Sequence, residues 1–171
     1  MRQAIGSRVV LATTATITIA LAAASVSGQP RWLYYNRTES APHGWYLHRN
    51  ALALHTGDLV FARLPDDAAR VASDRRYLPL NVPLIKQIAA VEGTEVCVLN
   101  GKVLVAGLSA GVVLERDGAG RPLSAWMGCR MLGKHELFLL GASRTASFDS
   151  RYFGPVTREA VLGKAIPLWT W

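Results

Sequence analysis

The stretch TEVCVLNGKVLVAG, Thr94 to Gly107, decides what kind of chain this is. Two runs rich in β-branched residues flank Asn100-Gly101, and Asn-Gly between such runs is the strongest short-range signal for a tight hairpin, because both turn residues need positive φ. Just upstream, VPLIKQIAAV, Val82 to Val91, alternates so that Leu84, Lys86, Ile88 and Ala90 share one face of a strand. GDLVFARL, Gly57 to Leu64, is bounded by Gly and Pro, as a buried strand is. Downstream, HELFLLG, with its strand over Glu136 to Gly141, and the closing KAIPLW add two more. Asp66 to Pro79 reads as a short helix or a mobile excursion, and Arg116 to Pro122 as a turn-rich connector. No ten-residue amphipathic helix stands out beyond Pro30. The expectation is a mainly β fold, with residues 31–171 forming one compact antiparallel domain.

A length of 171 residues at 50% hydrophobic suits a single domain with a real core. The formal net charge is +7, yet the Lys and Arg residues are scattered, with no basic helix and no aromatic-interleaved basic patch, so no nucleic-acid partner is expected. Residues 1–30 carry a different message. No charge interrupts Val9 to Pro30, a length that crosses a bilayer as a helix, and Arg2 and Arg8 precede it. Positive residues stay in the cytoplasm, so everything after Pro30 is expected outside it, on the periplasmic face of a single-pass inner-membrane protein whose anchor contacts the lipid bilayer. A cleaved secretory signal remains the competing reading, because Ala22 to Ala24 offers an Ala-x-Ala-like site. Either way the compartment is oxidising, which makes a Cys97–Cys129 disulfide the expectation over two buried thiols. No Cys-x-x-Cys and no Cys/His grid is present, and neither a metal nor another cofactor is expected.

The four histidines, His43, His48, His55 and His135, form no His-Glu-x-x-His arrangement, and no Gly-x-Ser-x-Gly elbow supplies a serine for a triad. Lys86 is more unusual, since it lies among Leu84, Ile85 and Ile88. A long stem can carry its ammonium to solvent, but an amine held in that apolar setting loses its proton more readily and becomes a general base. A neutral lysine amine paired with a serine hydroxyl is a known variant of triad logic. Two polar stretches could complete it. NRTESAPHGWY, Asn36 to Tyr46, taken alone is a turn with Pro and Gly; ASFDSRYFGPV, Ala146 to Val156, places Asp149 and Arg151 on one side if the segment is extended.

Together these blocks carry a resemblance. Thr38-x-Ser40 with Pro42 and Gly44, then Lys86 within LIKQIAAVEG, then Ser147-x-Asp149-Ser150-Arg151, in that order behind an N-terminal apolar segment, resembles the bacterial type I signal peptidases of the serine-lysine class. The closer likeness is to their conjugal-transfer, TraF-type branch. The resemblance implies a signal-peptidase-type β domain, Ser40 as nucleophile and Lys86 as general base. Thr38 stands where a hydroxyl joins the serine's own N–H at the oxyanion, Ser147 where a hydroxyl orients the lysine, and Asp149 with Arg151 where a pair braces the site. It further implies an exported, pilin-like precursor cut after small residues, the acyl-enzyme passing to water or to the substrate's own amine. The sequence departs from the housekeeping pattern: only Ala41 separates Ser40 from Pro42, Val91-Glu92-Gly93-Thr94 replaces Leu-Pro-Gly-Asp, and the loop before Ser147 is short. The length leaves little room for the additional β domain of larger members. The rival reading from another class is a non-catalytic anchored component of a secretion or mating apparatus; a redox role for Cys97 and Cys129 is disfavoured by their separation.

Overall fold

The computed structural model describes residues 14–16, 18, 32–142 and 147–171. The chain divides into two compact units, Met1–Arg31 and Trp32–Trp171. In the first, residues 14–16 and 18 are helical, and the Thr18 hydroxyl donates to the Thr14 carbonyl at 2.9 Å. The rest of the expected anchor lies outside the described residues, among which no helix is long and apolar enough to cross a membrane.

The second unit is mainly β and antiparallel throughout. In chain order it runs β1 (Leu33–Asn36), β2 (Gly44–Arg49), β3 (Leu59–Ala62), α1 (Asp66–Asp74), β4 (Leu84–Ala90), β5 (Glu95–Leu99), β6 (Lys102–Val105), β7 (Leu108–Val112), β8 (Gly128–Met131), β9 (Glu136–Leu140), α2 (Ser150–Phe153), β10 (Val156–Thr157) and β11 (Val161–Thr170). Seven strands form one sheet in the order β1-β2-β11-β3-β4-β9-β10, and four form a second in the order β7-β6-β5-β8.

The hairpin that opened the sequence reading is the centre of the smaller sheet. Leu99 faces Lys102, leaving Asn100 at φ 50° and Gly101 at φ 73° as the two-residue turn. Ala106 and Gly107 repeat that geometry between β6 and β7, at φ 49° and 77°. Cys97 lies opposite Cys129 across β5 and β8, and the two sulfurs are bonded over a Cα–Cα distance of 4.0 Å.

β9 explains why its sequence is apolar without alternation. Leu137 and Leu139 enter a core with Val60, Leu84, Ile88 and Val161, while Phe138 and Leu140 enter another with Val96, Val98 and Val103 of the smaller sheet. Both faces are covered, so no polar face is needed. β4 is also buried on both faces: Leu84 and Ile88 belong to the first core, whereas Ile85 packs with Phe61, Tyr46 and Ala41. Of the two readings of the polar stretch after Pro65, the helix is what forms. Asp66 and Asp67 occupy its first turn, where the positive end of the helix dipole favours them, and Ala68 and Ala72 face inward.

Candidate active site

Ser40 sits in the loop of residues 37–43, which joins β1 to β2. The base of that hairpin is the pair Asn36 and Gly44. Gly44 has φ 136°, and a Cβ there would lie 2.1 Å from the Trp169 carbonyl oxygen, so β11 can approach only because the side chain is missing. The loop is tied down from three sides. Tyr46 Oη donates to the Pro42 carbonyl at 2.7 Å, the Ala142 amide donates to the Ser40 carbonyl at 2.8 Å, and the Trp171 amide donates to the His43 carbonyl at 3.0 Å. Asn36 closes it from beneath: Nδ2 donates to the carbonyls of Thr38 and Ala41 at 2.9 Å each and of Pro42 at 3.1 Å, and Oδ1 accepts from the Thr38 amide at 3.1 Å and the Thr38 hydroxyl at 2.9 Å.

The Ser40 hydroxyl lies 2.8 Å from Thr38 Oγ1 and 3.3 Å from the carbonyl oxygen of Ile85, to which it can donate. Ile85 immediately precedes Lys86 on β4. Lys86 itself is 3% exposed and donates to Ser147 Oγ through a short hydrogen bond. No hydrogen bond between Ser40 and Lys86 is present among the described residues; both side chains line one cleft of about 490 Å³, with Ser147 also in its wall. Burial is the main reason that the Lys86 amine is brought down from 10.5 to about 8; the Asp149 carboxylate opposes that shift and the Arg151 guanidinium adds to it. Some tenth of such an amine is neutral at pH 7, against well under a thousandth for an exposed lysine.

Asp149 and Arg151 meet, but not through an extended segment. Asp149 is the N-cap of α2, and Ser150 to Phe153 form a single helical turn. Capping brings the pair together: Asp149 Oδ1 accepts from the Arg151 amide at 3.2 Å and from Nε at 2.8 Å, while Oδ2 accepts from Nη2 at 2.8 Å. The condition of an extended segment is not met because the Asp149 carboxylate satisfies an amide donor at a helix start. Asp149 is fully buried and Arg151 1% exposed. Asp149 Oδ2 also accepts from the Gly141 amide at 2.8 Å, and Arg151 donates to the Ser147 carbonyl at 3.2 Å and the Val112 carbonyl at 2.7 Å. The ion pair thus joins the end of β9, the residue that bonds Lys86, and the smaller sheet.

Much of the cleft's remaining lining is apolar or aromatic, with Tyr34, Phe61, Leu78, Leu84, Phe148 and Tyr152 among it. Asp117 lies in its wall and fastens the 116–122 connector to the segment after α1. Its carboxylate accepts from Tyr77 Oη in a short bond, from Arg121 Nε at 2.7 Å, and from the amides of Ala119 and Arg121 at 2.9 Å. The Tyr77 hydroxyl first, and then Arg121, hold it well below the usual carboxylate range. Among the described residues no cluster of His, Cys, Asp and Glu is arranged to hold a metal. His43 contributes its carbonyl rather than its ring to the loop, and the His48 ring lies 3.1 Å from the Leu162 carbonyl. The sequence reading passed over Asn36 and Asp117. Asn36 did leave a signal, since an Asn at a strand end two residues before Thr38 is the pattern of an Asx-turn.

A family model described as signal peptidase, peptidase S26, matches residues 5–170. The chain is 37% identical over 161 residues to a conjugal transfer protein TraF of Agrobacterium tumefaciens (strain 15955), covering 88% of this chain and 88% of that one. It is 33% identical over 162 residues to a conjugal transfer protein TraF of Agrobacterium fabrum (strain C58 / ATCC 33970), covering 89% and 90%. It is 30% identical over 145 residues to a plasmid transfer protein TraF of Escherichia coli, covering 80% and 82%.

Proposed function

Because the chain belongs to the signal peptidase family, peptidase S26, we propose that it is a membrane-anchored serine endopeptidase that matures an exported precursor for conjugation, with Ser40 as nucleophile and Lys86 as base. The observation that carries this reading is an almost fully buried lysine amine, bonded to Ser147 and opening onto the same cleft as Ser40. Neutral Lys86 takes the Ser40 proton after the Ser40 side chain turns toward Nζ, away from Thr38 Oγ1 and the more distant Ile85 carbonyl. The oxygen attacks the scissile carbonyl carbon, and the electron pair moves onto the carbonyl oxygen. The Ser40 amide and the Thr38 hydroxyl meet that charge; among the described residues no acceptor takes the Ser40 N–H. Collapse breaks the C–N bond, and the Lys86 ammonium returns its proton to the departing amine. The ester that remains is released by water, regenerating the serine, or by an amine of the substrate, which gives a cyclic product.

The relatives named for conjugal and plasmid transfer support a substrate that serves conjugation, a pilin-like precursor in this proposal. Residues 1–30 serve as the anchor, with residues 31–171 on the periplasmic side. Tethering of enzyme and precursor to one membrane raises their effective concentration without any added contact. The test is mass spectrometry of the pilin precursor co-expressed with wild-type enzyme or with Ser40→Ala. Wild type yields a shortened species, lighter by a further water if the ring closes, and Ser40→Ala leaves the full-length precursor. Unchanged cleavage with Ser40→Ala refutes the reading, and an uncut precursor with both enzymes favours a non-catalytic assembly component.

A further inference from the structure

We propose that Asn36 is a positioning residue of the acylating loop, which clamps residues 38–42 through its amide and sets the direction of the Thr38–Ser40 hydrogen bond through Oδ1. The inference rests on the roles given above to Ser40 and Thr38.

Asn36 is 6% exposed, and the loop it supports engages both ends of its side chain. The orientation of the amide group follows from its partners. Three carbonyls, those of Thr38, Ala41 and Pro42, surround one terminal atom, and only nitrogen can donate to them. The Thr38 N–H and the Thr38 hydroxyl reach the other, which is therefore the oxygen. Two donors cannot bond each other, so the alternative assignment sets the Thr38 N–H against an N–H₂ group and three carbonyls against an oxygen, four contacts unmatched.

That assignment orders the protons further along. Asn36 Oδ1 has no proton to give, so the 2.9 Å contact takes the single hydroxyl proton of Thr38. The oxygen of Thr38 is then an acceptor, and the 2.8 Å contact with Ser40 runs from the serine O–H to Thr38. The resting chain is Ser40 to Thr38 to Asn36. Once Ser40 has surrendered its proton to Lys86, Thr38 no longer accepts from it. Its own O–H can leave Asn36 and turn to the oxyanion while Asn36 still holds the Thr38 amide and carbonyl. Asn36 thus keeps Thr38 in one conformation through the step in which its proton changes partner. A fixed donor of this kind contributes because it need not reorganise as charge forms.

The experiment uses the full chain in detergent micelles and the p-nitrophenyl ester of acetyl-Ala-Ala-Ala as acylating probe. Wild type, Ser40→Ala, Asn36→Ala, Thr38→Val and the Asn36→Ala/Thr38→Val double variant are compared, with thermal unfolding followed in the same buffer. Asn36→Ala is expected to lower kcat by roughly 10- to 100-fold with KM within about threefold, less than the roughly hundred- to thousandfold that removing an oxyanion donor itself costs, because Thr38 remains. In the Thr38→Val background the same change is expected to cost no more than about threefold, since residues acting through one group are not additive. If Asn36→Ala is unfolded at the assay temperature, Asn36→Ser carries the comparison, because its neutral hydroxyl can still accept from the Thr38 amide in the same turn while the clamp on the three carbonyls is lost. A wild-type kcat in the Asn36 variant, an effect confined to KM, or full multiplication with Thr38→Val each overturns the proposal. A wild-type rate no higher than that of Ser40→Ala instead refutes the assignment of Ser40, and the inference about Asn36 falls with it.

Discussion

An ammonium ion at Lys86 gives up its hydration to side chains that cannot replace it, and the nearby Arg151 adds to the penalty that Asp149 relieves. The consequence for stability has a definite sign. The amine titrates at about 8 in the folded chain and at 10.5 when exposed. Between those values the unfolded chain holds a proton that the folded one has lost, so folding becomes more favourable as pH rises, and the penalty is in full force below about 8. Lys86→Met is therefore expected to be more stable than wild type at pH 7, by up to about 3 kcal/mol, with the difference shrinking toward pH 10. Urea midpoints of both proteins across that range check it. The same titration governs the proposed chemistry: kcat/KM should rise about tenfold per pH unit below about pH 8 and level off above it. A rate independent of pH from 6 to 10 argues against Lys86 as base. Lys86 was legible because a charge inside an apolar strand breaks the expected pattern. Asn36 was not, since its role consists of bonds to carbonyls of a loop whose path the sequence does not specify.

Elements show where local chemistry sufficed and where a neighbour decided. The Asn100-Gly101 turn was readable because positive φ at two adjacent residues selects those residue types. Gly44 was readable only as a motif member; its reason is the Trp169 carbonyl, contributed by a strand far along the chain. The two positions make a controlled pair. Gly101→Ala, at φ 73° with nothing within 4 Å of the new Cβ, should cost about 1 kcal/mol from backbone strain alone. Gly44→Ala must also push β11 off β2, and a loss above about 3 kcal/mol is expected, measured by thermal or urea unfolding. The conditional reading of Asp149 to Arg151 as an extended segment does not hold, and a capped helical turn forms instead, because the sequence patterns of a polar strand and of an N-cap overlap. Asp149→Asn removes the carboxylate that pairs with the buried Arg151 guanidinium, and a destabilisation of about 3–5 kcal/mol is expected.

On the scale of the molecule, the antiparallel β class could be read from the spacing of strand and turn signals, and the division into two sheets could not. Which strands share a sheet depends on pairings between distant segments, such as β11 inserting between β2 and β3. The Cys97–Cys129 bond closes a loop with a sequence separation of 32, and its removal in Cys97→Ser/Cys129→Ser should lower stability by about 3–4 kcal/mol in the chain-entropy account. Retention of residues 1–30 as an anchor predicts that the protein stays with membranes after alkaline extraction and is digested by protease added to the periplasmic side only. Two consecutive amides follow directly on β9. Gly141 binds Asp149, and through it the seat of the lysine, while Ala142 binds the carbonyl of Ser40. Both members of the proposed dyad are therefore referenced to a single mounting point, and a tremor of that point displaces them in unison. Thermal breathing of the large sheet can then shift Ser40 and Lys86 together without changing the spacing on which the proposed proton exchange depends.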